Sequence, residues 1–169
     1  VFPENIIQVD ANPVAQQRNY KIGQFVCADA KDTLARVVNA LSGVSKVDAA
    51  YDAEIKAARE NAIEALRTQM DQYALICDHL RAALPEDGIF VRDITMSGST
   101  WGSRLFPVQT PNKNIHSLAG AIGLGLAHAI GASIANPTNK VVGIEADGGL
   151  KLGIGEIATM AQENTDMVL

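Results

Sequence analysis

The sequence predicts an α/β protein whose main domain is a parallel β-sheet flanked by helices. Short apolar segments alternate with helical segments along most of the chain, and turn residues such as Gly, Pro and Asn separate them. Strands that alternate with helices form right-handed βαβ units, and such units build parallel sheets. Ligands of these sheets bind at the carboxyl ends of the strands, so the functional site is expected at that edge.

Residues 1–42 are predicted to be the last strand and helix of a second, Rossmann-like α/β domain. Residues 5–10 form an apolar segment that ends in Asp10, and residues 29–41 have the periodicity of an amphipathic helix. One face of that helix is apolar: Leu34, Val37, Val38 and Leu41. The chain opens almost directly in a strand-like segment and stops in another, so we expect a fragment of a longer protein.

Residues 43–70 are predicted to form a linker helix. The segment is rich in Ala, Glu and Arg, and its apolar residues recur at helical spacing. Asp52 precedes Lys56 by one helical turn, which is a favourable spacing for an ion pair. The charged residues are expected on a solvated face, and the apolar stripe on the surface of a neighbouring domain.

Residues 71–169 are predicted to form the main domain. Pro85 and the turn residues after it stop the first helix, and the β-branched segments have the length of buried strands. In chain order we expect a helix at 71–84, a strand at 89–94, a loop at 95–117, a glycine-rich helix to about 135, a strand at 141–146, a helix at about 154–164 and the start of a strand at 166.

Composition excludes some classes of function. The net charge is −5 and no basic run stands out, so nucleic acid is not an expected partner. Cys27 and Cys77 fit no metal or redox spacing and are expected to be reduced core residues of a cytoplasmic protein. Residues 118–135 carry no formal charge, but their glycines and His128 favour a buried helix over a membrane span.

The segment from Ala146 to Gly149 places one carboxylate, Asp147, between small residues at a strand end. Glycines let the backbone approach a ligand closely and offer bare N–H groups, which suits a phosphate. A carboxylate beside phosphate oxygens requires a cation between them, and Mg²⁺ is commonly shared in this way. The residues therefore indicate a Mg²⁺–diphosphate site. The alternative is that Asp147 only caps a helix or tightens a turn.

Two stretches together resemble a known family. "AGAIGLGLAHAIGASIANPTNKVVGIEADGGLKLGIGEIATMAQENTDMVL" resembles the diphosphate-binding domain of thiamine diphosphate enzymes of the decarboxylase and acetolactate synthase superfamily. That family has Gly-Asp-Gly where this chain has Ala146-Asp147-Gly148, and a Glu-Leu-Ala-Thr type helix where this chain has Glu156-Ile157-Ala158-Thr159. "RDITMSGSTWGSRLFP" is similar to the loop after the first strand of that domain.

The resemblance implies a truncated thiamine diphosphate-binding fold. Residues 1–42, with "NIIQVDANP", would be the C-terminal remnant of the family's middle α/β domain. Residues 43–70 would be the linker helix. Residues 71–169 would be the diphosphate- and Mg²⁺-binding domain, truncated at its C-terminal end.

The resemblance also assigns the diphosphate end of the cofactor site. Asp147 would bind Mg²⁺, and Gly148 and Gly149 would present their backbone to the cation and the diphosphate. Ala146 replaces the first glycine of the metal motif, and its methyl group is expected to crowd the turn. Three residues of the first loop would lie near the diphosphate: Ser97, Gly98 and Ser99.

The pyrimidine end would be held by "GAIG", residues 120–123. The carbonyl of Gly120 would accept a hydrogen bond from the aminopyrimidine, and Ala121 would be a further cofactor-binding residue. Ile122 would be the apolar wedge that keeps the cofactor bent, and Gly123 would leave room beside it. His116 precedes this segment and is a candidate to face the substrate.

These residues imply a thiamine diphosphate- and Mg²⁺-dependent decarboxylase or carboligase of 2-oxo acids, similar to acetolactate synthase. The family takes its catalytic glutamate from the pyrimidine-binding domain of a partner subunit, so no catalytic residue is expected in this chain and the isolated chain is expected to be inactive. The second metal ligand would lie beyond Leu169. The parent protein is expected to be a homodimer or homotetramer, with no membrane or nucleic-acid partner, and a bound FAD is left open.

Two alternatives stay open at this level. One is a degenerate homologue that keeps the fold without the cofactor. The other is a nucleotide-binding α/β domain of a different kind, although the G-x-G-x-x-G pattern starting at Gly123 fails at His128.

Overall fold

A computed structural model of the chain describes residues 5–18, 20–44, 46, 48–118 and 120–169. The chain divides into two compact units, Val1–Glu54 and Ile55–Leu169. This division lies inside the helix that spans Tyr51–Met70 and does not coincide with residue 42 or residue 70. The domain boundaries at 42 and 70 therefore stay predictions.

The first unit contains a pair of parallel strands, β1 (Ile7–Asp10) and β2 (Gln24–Cys27), in which Ile7 pairs with Gln24. The sequence analysis predicted β1 but not β2, because β2 is short and lacks a clear alternating pattern. Helix α1 (Ala30–Leu41) starts after Asp29, whose side chain accepts a hydrogen bond from the backbone N–H of Asp32. The apolar residues of α1 are exposed: Leu34, Val37, Val38 and Leu41. Cys27, which was predicted to be a core residue, is exposed as well.

The second unit begins within α2 (Tyr51–Met70), which is followed by α3 (Gln72–Ala83). Asp71 separates them with a positive φ of 48°, a left-handed conformation that interrupts the helix. Arg67 of α2 and Asp78 of α3 form an ion pair that joins the two helices.

The core of the second unit is a four-stranded parallel sheet: β3 (Ile89–Arg92), β4 (Asn114–His116), β5 (Val141–Ile144) and β6 (Met167–Val168). The strand order is β4-β3-β5-β6. The chain therefore leaves β3 in one direction to form β4 and then returns past β3 to form β5. This reversal creates a topological switch point between β3 and β5, which is where parallel sheets bind ligands.

Helices cover both faces of this sheet. The helices of the main domain that follow β3 are α4 (Met96–Ser99), α5 (Trp101–Arg104), α6 (Gly125–Ala135), α7 (Asp147–Leu152) and α8 (Glu156–Gln162). On one face Phe90 packs with Cys77, Trp101 and Phe106. On the other face Ile89 and Val91 pack against Ala129 and Ala132 of α6. Burial on both faces explains why the first three residues of β3 are apolar.

The predicted α/β class and parallel sheet are confirmed. Local differences remain: residues 95–117 contain α4, α5 and β4 rather than a plain loop, and the glycine-rich helix begins only at Gly125. Within the described ranges, no helix has both the length and the apolar character that crossing a membrane requires.

Candidate functional site

The candidate site lies at the carboxyl ends of β3 and β5. The parallel register pairs Arg92 with Ile144, so the next residues, Asp93 and Glu145, lie at the same level of the two strands. The backbone N–H of Asp93 donates to the carbonyl of Ile144 at 2.9 Å, which extends the pairing by one step. Two acidic side chains thus emerge beside each other at the switch point.

Asp93 is buried, with 1% of its surface exposed. Its Oδ2 atom accepts a hydrogen bond of 2.7 Å from the backbone N–H of Gly123. Its Oδ1 atom has no hydrogen-bond partner among the residues that the structure describes. A buried carboxylate is costly unless its oxygens are satisfied, so this position calls for a specific explanation.

Glu145 is half-buried, and its Oε2 atom accepts a hydrogen bond of 3.1 Å from the backbone N–H of Leu126 in the first turn of α6. Burial, followed by the neighbouring charge of Asp93, raises the pKa of Glu145 above its usual value. The two acidic side chains together hold the backbone that leads into α6 against the strand ends.

The turn before α6, Gly120–Gly123, is held at two points. Buried Ser117 donates its hydroxyl proton to the carbonyl of Ala121 at 2.6 Å, and the N–H of Gly123 donates to Asp93. Gly120 and Gly123 have φ values of 74° and 82°, a left-handed conformation that only glycine adopts readily. Ile122 is 54% exposed although it is a large apolar residue. The turn therefore presents one apolar side chain from a firmly held backbone.

The carboxylate motif forms the start of α7. The Asp147 side chain is 87% exposed, and its Oδ2 lies 3.2 Å from Nζ of Lys151. In the described part of the chain no atom lies within 4 Å of the position that a Cβ would take on Gly148, so this backbone is uncovered. Ala146 has φ −87° and ψ 159°, an extended conformation that any residue adopts. The expected crowding by its methyl group is therefore not supported by the backbone conformation.

The loop after β3 is packed tightly. The N–H of Gly98 donates to Oγ1 of Thr95 at 2.7 Å, and its carbonyl accepts a bond of 3.4 Å from Arg92. A Cβ on Gly98 would lie 2.3 Å from the backbone oxygen of Asp93. Gly98 is buried, whereas Ser97 is half-buried and Ser99 is exposed. The N–H of Gly98 is thus already used within the loop, and the two serines are the more accessible groups.

His116 is the last residue of β4 and is exposed. It pairs in register with Arg92 of β3, so it lies at the same edge of the sheet as the other candidate residues. The structure therefore brings His116, the 120–123 turn and the 146–149 motif to one edge.

The turn and the motif are in direct contact. A Cβ on Gly123 would lie 3.2 Å from the carbonyl oxygen of Gly149, and one on Gly149 would lie 2.5 Å from Oδ2 of Asp93. Both segments were predicted from the sequence, but Asp93, Glu145 and Ser117 were not. A signal was present for Asp93, because it is an acidic residue near the end of the predicted strand at 89–94.

Comparison with known proteins identifies relatives of this chain. Residues 93–169 match the family model "Thiamine pyrophosphate enzyme, C-terminal TPP binding domain". A benzoylformate decarboxylase from Pseudomonas aeruginosa is 33% identical over 87 residues, which covers 52% of this chain and 16% of that protein. A probable acetolactate synthase large subunit from Methanococcus aeolicus is 24% identical and covers 97% of this chain and 30% of that protein.

A solved structure supports the fold. The thiamine diphosphate-dependent 4-hydroxybenzoylformate decarboxylase of Rhodococcus jostii RHA1 has a TM-score of 0.66 at 20% identity, covering 95% of this chain and 29% of that one. The resemblance inferred from the sequence is confirmed for residues 93–169, which match the C-terminal TPP-binding domain of thiamine pyrophosphate enzymes. The chain spans less than a third of the length of these relatives.

The residues at the edge fit thiamine diphosphate and Mg²⁺. Mg²⁺ prefers oxygen ligands and commonly combines one or two carboxylates with phosphate oxygens and water. Asp147 offers one exposed carboxylate beside uncovered backbone at Gly148. Among the described residues no group of three or more His, Cys, Asp or Glu could hold a metal, so a cation here would need ligands from elsewhere, such as a diphosphate. Ile122 adds the apolar surface that a flat ring system requires.

Proposed function

We propose that this chain is the diphosphate-binding part of a thiamine diphosphate- and Mg²⁺-dependent enzyme that decarboxylates or ligates 2-oxo acids. The observation that carries the proposal is the contact between the Gly120–Gly123 turn and the Ala146–Gly149 motif at the β3/β5 switch point. These segments match the family's pyrimidine-side and metal-side segments, and the relatives named above are a benzoylformate decarboxylase and an acetolactate synthase.

The proposed roles of residues 146–149 at the metal side follow from the exposure of the Asp147 carboxylate and of the Gly148 backbone. Asp147 would hold Mg²⁺ with its exposed carboxylate, which in this structure is paired with Lys151. Gly148 and Gly149 present backbone to the cation and the diphosphate, with Ala146 supporting the start of the turn. The loop residues that line the same side are Ser97, Gly98 and Ser99.

The proposed roles at the pyrimidine side follow from the anchored turn. Gly120 offers its carbonyl to the aminopyrimidine, Ile122 supports the cofactor from below, and Gly123 keeps the turn close to α7. Bound thiamine diphosphate supplies an electron sink for the carbanion formed when a 2-oxo acid loses CO₂. This chain's own part is to bind, orient and partly shield that cofactor, with His116 at the edge where a substrate would enter.

The whole site requires more than this chain. We propose that a pyrimidine-binding domain supplies the catalytic glutamate from a partner subunit, in a cytoplasmic homodimer or homotetramer, and that the isolated chain does not turn over substrate. Exposed apolar residues around the edge support a covering partner: Leu118, Leu124, Leu152, Ile154 and Ile157. The term "assembled protein" below means this chain together with that domain.

The test is the affinity of the assembled protein for thiamine diphosphate, measured by calorimetry with and without Mg²⁺. Asp147→Asn is expected to weaken Mg²⁺-dependent binding at least tenfold, because a charge-assisted metal ligand is lost (about 1.4 kcal/mol or more). The matched control is Asp166→Asn, which removes an exposed carboxylate paired with Lys140 beside the opposite ends of β5 and β6. Absence of binding by the unaltered protein would instead indicate a degenerate homologue that has kept only the fold.

A further inference from the structure

Three backbone segments converge on the buried side chain and backbone of Asp93. Gly123 donates its N–H to the carboxylate, and Gly149 lies so close that a Cβ would come within 2.5 Å of Oδ2. Gly98 packs against the backbone carbonyl of the same residue. The 97–99 loop, the 120–123 turn and the 146–149 motif therefore all contact Asp93. Asp93 itself is buried and does not face a ligand.

The chemistry of Asp93 is unusual for a packing residue. An apolar side chain of similar size would fill the space without the cost of removing a carboxylate from water. What the carboxylate adds is a directional acceptor for one N–H, that of Gly123, which ties the turn to the end of β3. A charged acceptor makes this hydrogen bond stronger than a neutral one would.

We propose that Asp93 is a positioning residue that sets the distance between the 120–123 turn and the 146–149 motif, and hence between the two ends of the bound cofactor. This inference rests on the proposed function. A ligand that spans both segments gains affinity only when they are held at the correct separation. A ligand that does not reach the 120–123 turn gains nothing from that separation.

This difference gives a test that a purely structural role would not satisfy. In the assembled protein with Mg²⁺, the dissociation constants of thiamine diphosphate and of inorganic diphosphate are measured for each variant. Asp93→Ala is expected to weaken thiamine diphosphate binding about tenfold, because a hydrogen bond to a charged group is lost. Inorganic diphosphate binding is expected to change less than about twofold, because this ligand does not reach the 120–123 turn.

Asp93→Asn is the conservative rescue. Its amide oxygen can still accept from the N–H of Gly123, so binding of thiamine diphosphate is expected to remain within about threefold of the unaltered protein. If Asp93→Ala does not fold, Asp93→Ser makes the same test, because its shorter hydroxyl cannot reach Gly123.

The inference is overturned if the alanine or serine variant leaves thiamine diphosphate binding unchanged, or if both ligands weaken equally. The second result would make Asp93 an ordinary fold residue. Failure of the unaltered protein to bind thiamine diphosphate would contradict the proposed function instead, so the two failures are distinguishable.

Discussion

Gly123 and Leu152 are in direct contact: a Cβ atom on Gly123 would lie 2.9 Å from Cβ of Leu152. The contact joins the turn before α6 to the helix α7 that opens with Asp147. Gly123 belongs to the segment predicted to bind the pyrimidine end of the cofactor, and α7 opens in the 146–149 segment predicted to bind the diphosphate end. Leu152 leaves no space for a side chain at position 123. The glycine therefore allows the turn to lie directly against α7.

The first prediction concerns the two glycines of this turn. Gly123→Ala is expected to lower the free energy of unfolding by about 2–4 kcal/mol, because it adds a left-handed non-glycine residue and a clash with fixed atoms. Gly120→Ala is the control, since its φ is also positive but no described atom lies near its Cβ position. It should cost only about 1 kcal/mol. Urea denaturation of both variants measures the difference, and equal costs would contradict the proposed clash.

The second prediction concerns Ile122. Because the side chain is 54% exposed, Ile122→Ala should change the free energy of unfolding by less than about 0.5–1 kcal/mol. If the side chain supports the cofactor, the dissociation constant of thiamine diphosphate should rise about tenfold, which corresponds to the loss of about 1.4 kcal/mol of apolar contact.

The matched control for this prediction is Ile134→Ala. Ile134 is 50% exposed and lies at the other end of α6, away from the turn. It should leave cofactor binding unchanged. Equal effects of the two substitutions on the dissociation constant would show that Ile122 has no specific role at the site.

The third prediction concerns the pH dependence of stability. The hydrogen bond from Arg67 at 2.9 Å, strengthened by the opposite charge, lowers the pKa of Asp78 in the folded chain. A carboxyl group with a lowered folded-state pKa stabilises the fold above its unfolded pKa, which is about 3.9. That contribution is lost as the pH falls through the lowered value. Asp78→Asn should therefore be less stable than the unaltered chain at neutral pH, and the difference should shrink on acidification.

Denaturant unfolding at a series of pH values tests this prediction. The control is the same Asp78→Asn substitution made in an Arg67→Met chain, which lacks the guanidinium partner. There the stability difference caused by Asp78→Asn should no longer depend on pH. A difference between Asp78→Asn and the unaltered chain that stays constant from neutral to acidic pH would contradict the assigned cause.

The 146–149 motif was predictable from local sequence, because strand ends and turn chemistry depend on neighbouring residues: Asp147 and two glycines lie just past the apolar strand "VVGI". The role of "GAIG" was implied only by the resemblance to the family. The chain segments 95–117 and 24–27 were less predictable. Their helices and strands are only three or four residues long, which is too short for a periodic pattern.

The sequence by itself determined the α/β class and the parallel sheet, since alternating strands and helices leave few topologies. The roles of the 120–123 segment were implied only by the resemblance to the family. The tertiary structure alone decided that Asp93 is buried and bonded to Gly123, and that Glu145 lies beside it. These contacts depend on β3 and β5 being neighbours although β4 lies between them in the chain. Local pattern does not encode that strand order, because it arises from how the whole chain covers both faces of the sheet.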